Sequence, residues 1–499
     1  MVNKFLQIIE EEMIYFYVIA IYLLVLVGVS VYKGRAVKTQ EDFMVAGRAV
    51  PWYLLVGTLV CTWIGSGSLF GGAGRAFREG FSALWMSAGA WVGIAIVYFL
   101  AGKVRKIAEF TVPDILEKRY HPSARLLGTI AIIIAYLTIA SYQFIGGGRL
   151  LNLLFPNLDP VHAKAIIAGL VVLYTVIAGM MSIVTIDIVN GLMIIISIVI
   201  AAPFALKGAG GWSELTANLP STHFDVFGRL GLLPALGLFF PTFFLLLGES
   251  SIYQKFFSAK DAKSARKAVI GMIAGVLIIE TLMAATAIFG SGIYFNNLNF
   301  VGDGWSFTAV QQGNTETILL QIARFNLPLI VGLLLLTGAV AIIFSTANTF
   351  LMVPSTNLAR DVYQRFINPN ISESGIIKFQ RIMIVLLAIL AYIVSSFFTS
   401  ILDMALYAYT MVGAAVTPAL LAAFIWKRVT VAGGVTSIAA GMIVTLIFGI
   451  LNSAGLSSLS YDYIIYPAAG ASIFFLIVVS LFTQKSAEEK WQPFMENGK

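Results

Sequence analysis

The chain has 499 residues, of which 59% are hydrophobic, 13% aromatic and only 11% charged, with a formal net charge of +7. A soluble chain carries about a quarter charged residues, so this one lacks the charge to cover a water-exposed surface and must meet a bilayer instead. A single cysteine, Cys61, excludes an intramolecular disulfide and a cysteine-built zinc cluster, while the basic excess, spread through short loops between apolar runs, points to membrane orientation and not to nucleic acid.

A spanning helix needs about 20 mostly apolar residues. In chain order the runs that qualify are 14–32, 51–70, 80–102, 126–155, 161–179, 182–206, 232–256, 266–295, 327–358, 377–398, 401–426, 430–452 and 462–483. The first follows the acidic Glu10, Glu11 and Glu12 instead of the basic start of a signal peptide, so it reads as a true helix. These runs predict an all-α polytopic membrane protein of about thirteen helices, a single transmembrane domain over 1–499 with an extra N-terminal helix at 14–32. Two five-helix halves follow at 51–206 and 232–426, then two extra helices at 430–483 and a tail at 484–499 too short for an appended module. The connections at 207–230 and 296–320 are long enough for short lids at most.

With the N-terminus outside, the inward segments collect most of the 32 basic residues, from Lys33, Arg35, Lys38 and Arg48 through Lys255, Lys260, Lys263, Arg266 and Lys267 to Lys485 and Lys490. That asymmetry predicts N-out, C-in. His121, His162 and His223 fall near predicted segment ends and read as interfacial residues, not ligands.

The run Cys61-Thr62-Trp63-Ile64-Gly65-Ser66-Gly67-Ser68 weakens its helix with glycines and hydroxyls, and Phe240-Pro241-Thr242 with Gly248-Glu249-Ser250 interrupts the span five places later. Interrupted helices in corresponding halves mark an inverted-repeat transporter with its site at the midplane; the alternative is glycines that only pack helices closely. In Ala341-Ile342-Ile343-Phe344-Ser345-Thr346, two neighbouring hydroxyls and a carbonyl one turn earlier make three hard oxygens. Two carbonyls freed by the first break complete a five-oxygen shell suited to Na⁺; the alternative is hydroxyls bonded back within their own helix. Asp187 and Glu249 are intramembrane acids of the functional kind, and Glu280 and Asp403 are either functional or structural.

These residues bring a family into view. Asp42-Phe43-Met44-Val45-Ala46-Gly47-Arg48, the broken Ile64-Gly65-Ser66-Gly67 with Gly71-Gly72-Ala73-Gly74, Gln143 to Leu150, Tyr174 to Met180, and Tyr253-Gln254-Lys255 with Ser258-Ala259-Lys260 resemble the sodium:solute symporter family over nearly the whole chain. The resemblance implies a leucine-transporter-type 5+5 inverted repeat that works by alternating access, with Na⁺ as co-transported ion and no organic cofactor. It implies a sodium site from the carbonyls of Cys61, Ile64 and Ile342 and the hydroxyls of Ser345 and Thr346. Some members carry a second cation site; here Asp187, Ser345 and Thr349 match it, but Asn348 stands where those members have Ser.

The substrate candidates are Trp63, Ser66, Ser68, Gln143, Thr242 and Glu249. Ser68, Thr242 and Leu245 replace the amide and aromatic groups with which sugar symporters hold a hexose, which argues against a sugar. The resulting expectation is a monomeric, sodium-coupled importer of an amino acid, a pantothenate-like acid or another organic acid, in the bacterial inner membrane. A choline or quaternary-ammonium symporter is the alternative, because an indole face attracts such cations. A transporter-like solute sensor is the rival of another class. An enzyme is not expected, because the spans offer no nucleophile–base pair or metal ligands.

Overall fold

A computed structural model describes residues 2–495 other than 36, 108, 295–297, 302–303, 308–314 and 399, with side chains not described before Met13, at Ala178 or over 298–307. Helix α1 (Val2–Gly34) is the predicted extra N-terminal span. The predicted 51–70 span is α2 (Trp52–Trp63), a break, a π-helical turn over Gly67–Gly72 and then α3 (Ala73–Glu79). The span therefore breaks where its glycines stand and runs longer than expected. After α4 (Trp85–Ile107), α5 (Val112–Arg119) and α6 (Pro122–Leu154) comes α7 (Pro160–Gly208), which holds both predicted spans 161–179 and 182–206. Gly179, at φ 60 and ψ 170, turns the chain between them, a conformation that disfavours any residue with a Cβ.

The second half repeats the pattern. Helix α8 (Leu232–Gly248) ends at Glu249 and α9 (Ser250–Ser258) carries on. Pro241 lies inside α8, so the break falls at Gly248–Glu249 and not at the proline. Next come α10 (Ala262–Ile293), α11 (Leu329–Asn357), α12 (Glu373–Val394), α13 (Ile401–Ala415) and α14 (Thr417–Ile425), then the extra helices α15 (Val431–Ser453) and α16 (Ile465–Phe482). Among the described residues, 12 helical stretches are long and apolar enough to span a membrane, and the shorter α2 adds one.

Part of the 296–320 connection lies outside the described residues. The rest includes an antiparallel hairpin of β1 (Leu298–Val301) and β2 (Gly304–Phe307). In the 207–230 connection a short helix, Gly211–Asn218, precedes a turn at Ser221–His223. His223 is buried, not interfacial, and burial pushes its imidazole down to about 4, so it is uncharged near neutral pH. Large apolar side chains such as Ile21, Phe99, Leu192, Ile330 and Phe482 face outward, as lipid contact requires.

The centre of the bundle is α11, nearly all of whose residues from Leu335 onward are buried, packed against α6 and α7. At one end a charged knot ties α5, α6 and the stretch after α11: Arg125 meets Asp114, lies 2.6 Å from both Glu117 and Asp361, and Thr111 adds a 2.9 Å bond to Asp361. Removing one partner from such a network strands a buried charge, which gives the knot its hold.

Candidate functional site

Backbone freed from helical pairing is tolerated at membrane depth only where protein or water receives it. At the first break Ile64 is extended (φ −74, ψ 105), and the break lies against α6 and α11 because Gly65 has no side chain. A Cβ there would sit 3.0 Å from the Thr346 methyl and 3.1 Å from the Gln143 amide nitrogen. Gln143 Oε1 accepts from the Ser66 N–H at 3.1 Å and the Ser66 hydroxyl at 2.5 Å, satisfying a donor the break released. At the second break Glu249 is likewise extended (φ −66, ψ 101).

Freed carbonyls gather opposite α11. The Thr346 hydroxyl lies 2.9 Å from the Ile64 carbonyl and 3.4 Å from that of Cys61, and the Ser345 hydroxyl lies 3.5 Å from the Cys61 carbonyl. Four of the five expected oxygens thus share one spot, and Ile342 stands one turn before Thr346 on the same face. These are uncharged hard oxygens in a buried setting, the donor chemistry of a monovalent cation site.

Asp187 lies beside this cluster. Its Oδ1 accepts from the Ser345 hydroxyl at 2.6 Å and its Oδ2 from the Thr58 hydroxyl at 2.5 Å. The Lys255 ammonium is 3.7 Å from Oδ2 and donates to the Thr58 carbonyl at 3.0 Å. Lys255 is fully buried, which corrects its reading as a loop cation: α9 is the second half of a broken helix and carries the lysine into the bundle. Asn348 and Thr349 are buried near the same helix face, but neither bonds to Asp187.

A separate cavity opens beside the first break, lined among others by Trp63, Ser68, Ser87, Thr242, Glu280 and Tyr409. Glu280 dominates it. Its Oε1 accepts from the Trp63 indole at 3.0 Å and the Ser68 hydroxyl at 3.2 Å, and its Oε2 from the Trp91 indole at 3.0 Å. Of the six substrate candidates, Trp63, Ser68 and Thr242 line this cavity. Ser66 and Gln143 instead brace the break. Thr242 shows its hydroxyl to the Met86 carbonyl at 2.6 Å. Glu249 does not line it: Oε1 accepts from Tyr136 and, at 2.9 Å, from the Ser251 hydroxyl. Asp403 sits in the first turn of α13, capped by Ser400. A larger cavity elsewhere is lined by Lys103, Lys106, Lys118, Lys263, Arg266 and Lys267 and by none of the predicted site residues, so size alone does not pick out the site.

The geometry has counterparts in known proteins. The sodium:solute symporter family model matches residues 43–444. The high-affinity proline transporter of Bacillus subtilis (strain 168) is 26% identical over 485 residues, covering 93% of this chain and 97% of its own length. A sodium/proline symporter of Staphylococcus aureus is 25% identical over 94% of this chain and 92% of its own. Among solved structures, a Na⁺-coupled sialic acid symporter superposes with a TM-score of 0.77 at 18% identity, covering 95% of this chain and 99% of that one. A nucleobase-cation-symport-1 family transporter in a closed conformation gives 0.55 at 11% identity, covering 90% and 97%.

Proposed function

The chain belongs to the sodium:solute symporter family, a multi-pass transporter and not an enzyme, and from that premise we propose that it imports a small amino acid of the proline kind, driven by Na⁺ bound at the junction of α2 and α11. The observation that carries the ion site is the convergence of the Cys61 and Ile64 carbonyls on the Ser345 and Thr346 hydroxyls. Proline as the solute is supported by the relatives named for it, which align over nearly their full length.

The coupling follows from placement. Two of the ion's five ligands belong to a broken helix and three to an unbroken one, so sodium is held only while α2 and α11 are docked. An ion shifts the balance between outward- and inward-facing states only by its difference in affinity for them. A site split between two elements provides that difference. With the N-terminus outside, the Arg125 knot lies on the cytoplasmic side and has to part for the solute to leave. The first and second repeats are 51–206 and 232–426, and the protein works as a monomer.

We assign one sodium per cycle. The place beside Asp187 that a second cation needs is taken by the Lys255 amino group, which belongs to the chain itself. One sodium at 100 mV still supplies about 2.3 kcal/mol, roughly a fifty-fold gradient of a neutral solute.

The test is sodium dependence. Ser345→Ala and Thr346→Ala each remove one hydroxyl from the ion's shell, and the sodium concentration for half-maximal uptake is expected to rise about tenfold in each. In parallel, NaCl should raise the melting temperature of the purified wild-type protein above its value in KCl at equal ionic strength, and Ser345→Ala should lose the difference. Unchanged sodium dependence in both variants would remove α11 from the ion site.

A further inference from the structure

Each of the other acids considered above has its charge answered or its place off the cavity: Asp187 faces Lys255, Asp114, Glu117 and Asp361 face Arg125, Glu249 lies elsewhere against Tyr136, and Asp403 sits in the first turn of α13 outside the cavity lining. Glu280 alone is a buried carboxylate, 5% exposed, in the wall of the cavity at the helix break. The groups that hydrogen-bond to it are all neutral donors, namely the indoles of Trp63 and Trp91 and the hydroxyls of Ser68 and Ser87. No basic side chain among the described residues pairs with it.

A carboxylate taken out of water costs several kcal/mol unless it is paired and hydrogen-bonded. Here the hydrogen bonds are built in and the cation is not. An indole N–H can only donate, so Trp63 and Trp91, one on each oxygen, fix the carboxylate's orientation without competing for its charge. The donors come from α2, the turn after it and α4, and they converge on a carboxylate carried by α10. The walls beside it are aromatic or apolar: Trp63, Tyr409, Ala83, Ala284 and Met283. Rings next to an anionic acceptor match an alkylammonium, whose N–H groups reach the carboxylate while its methylenes lie on the rings.

We propose that Glu280 is the seat of the transported solute's ammonium group, so that the substrate is an amine-bearing solute whose nitrogen keeps at least one N–H. This inference rests on the reading of the cavity as the solute site. It excludes from the substrate class carboxylic acids and sugars that lack an amine, and it disfavours quaternary ammonium compounds, which have no N–H for the carboxylate to accept.

The experiment is sodium-dependent thermal stabilisation of the purified protein by L-proline, by the other amino acids, and by their partners of altered nitrogen. For proline these are cyclopentanecarboxylate, which has no nitrogen, and N,N-dimethylproline, which has no N–H. The wild-type protein should be stabilised in NaCl by at least one amino acid and not by its deaminated partner, and Glu280→Gln should bind that solute at least about tenfold more weakly. The same variant should keep its own NaCl-over-KCl shift, because the ion site is elsewhere. Stabilisation by a deaminated or fully N-methylated partner equal to the parent, no stabilisation by any amine, or equal binding in Glu280→Gln would overturn the proposal. Loss of the sodium shift in Glu280→Gln would also overturn it and make the carboxylate a second sodium ligand. If NaCl has no effect on the wild-type protein with any solute, the sodium reading fails, while the amine comparison in KCl still decides the role of Glu280.

Discussion

Asp187 and Glu280 are buried to nearly the same degree, 1% and 5% exposed, and both face the first helix break, yet the protein treats their charges in opposite ways. Asp187 has a lysine of the same chain at 3.7 Å and two hydroxyl donors. Glu280 has donors only. The first is a closed account between residues that never leave, suited to holding α7 and α9 in register beside the ion. The second leaves a charge to be met by something that arrives and departs. Intramembrane acids are marked as functional by their cost, but the partner decides what the function is.

The largest expected effect is on the closed pair. Lys255→Met strands the Asp187 carboxylate in the core and should destabilise the protein by about 3–5 kcal/mol, read by thermal or urea denaturation in detergent. The double variant Asp187→Asn/Lys255→Met removes both charges and should recover most of that loss. If the single and double variants are equally unstable, the two side chains do not act as a pair and the contrast with Glu280 collapses. The pair also bears on stoichiometry: coupled sodium per solute, measured from accumulation against a clamped potential, should be one in the wild-type protein.

A smaller effect is expected at the open site. Glu280→Gln strands no ion, but it turns an amide NH₂ toward one of the indole donors, so the cost to stability should be about 1–3 kcal/mol. The comparison predicts a crossing of phenotypes: Lys255→Met costs more stability, and Glu280→Gln costs more solute affinity.

How much of this was legible in the sequence follows from the distances along the chain. The broken helices, the boundary between the spans 161–179 and 182–206, and the hydroxyl pair on α11 are local patterns of glycine, proline and short polar residues, and they lie where the sequence places them. The proline at 241 points to a break a few residues too early, because a membrane helix tolerates proline in its interior where neighbouring protein receives the freed backbone. The burial of Lys255 and the setting of Glu280 are not legible locally, for another reason. A lysine near a predicted span end is counted as a loop charge unless the helix is known to restart inward. The donors to Glu280 come from Trp63, Ser68 and Trp91, which lie 217, 212 and 189 residues away. No local pattern announces such neighbours, so an isolated acid in an apolar run gives the existence of a site without its role.

Glu249 supplies the last and smallest test, because it is the third kind of buried acid. Like Glu280 it has no cation within bonding distance, and like Asp187 it lies off the cavity, held by Tyr136 and the Ser251 hydroxyl at the second break. If an unmet carboxylate were enough to make a solute site, Glu249 would be one. We read it as a brace for the break, since Tyr136 also accepts the freed Ser251 N–H at 3.1 Å and so joins α6 to both sides of the interruption. Tyr136→Phe should then cost about 1–2 kcal/mol of stability through the lost donor and leave the ranking of solutes unchanged. A changed ranking in Tyr136→Phe, with Glu280→Gln silent, would move the solute to the second break and reverse the roles assigned to the two glutamates.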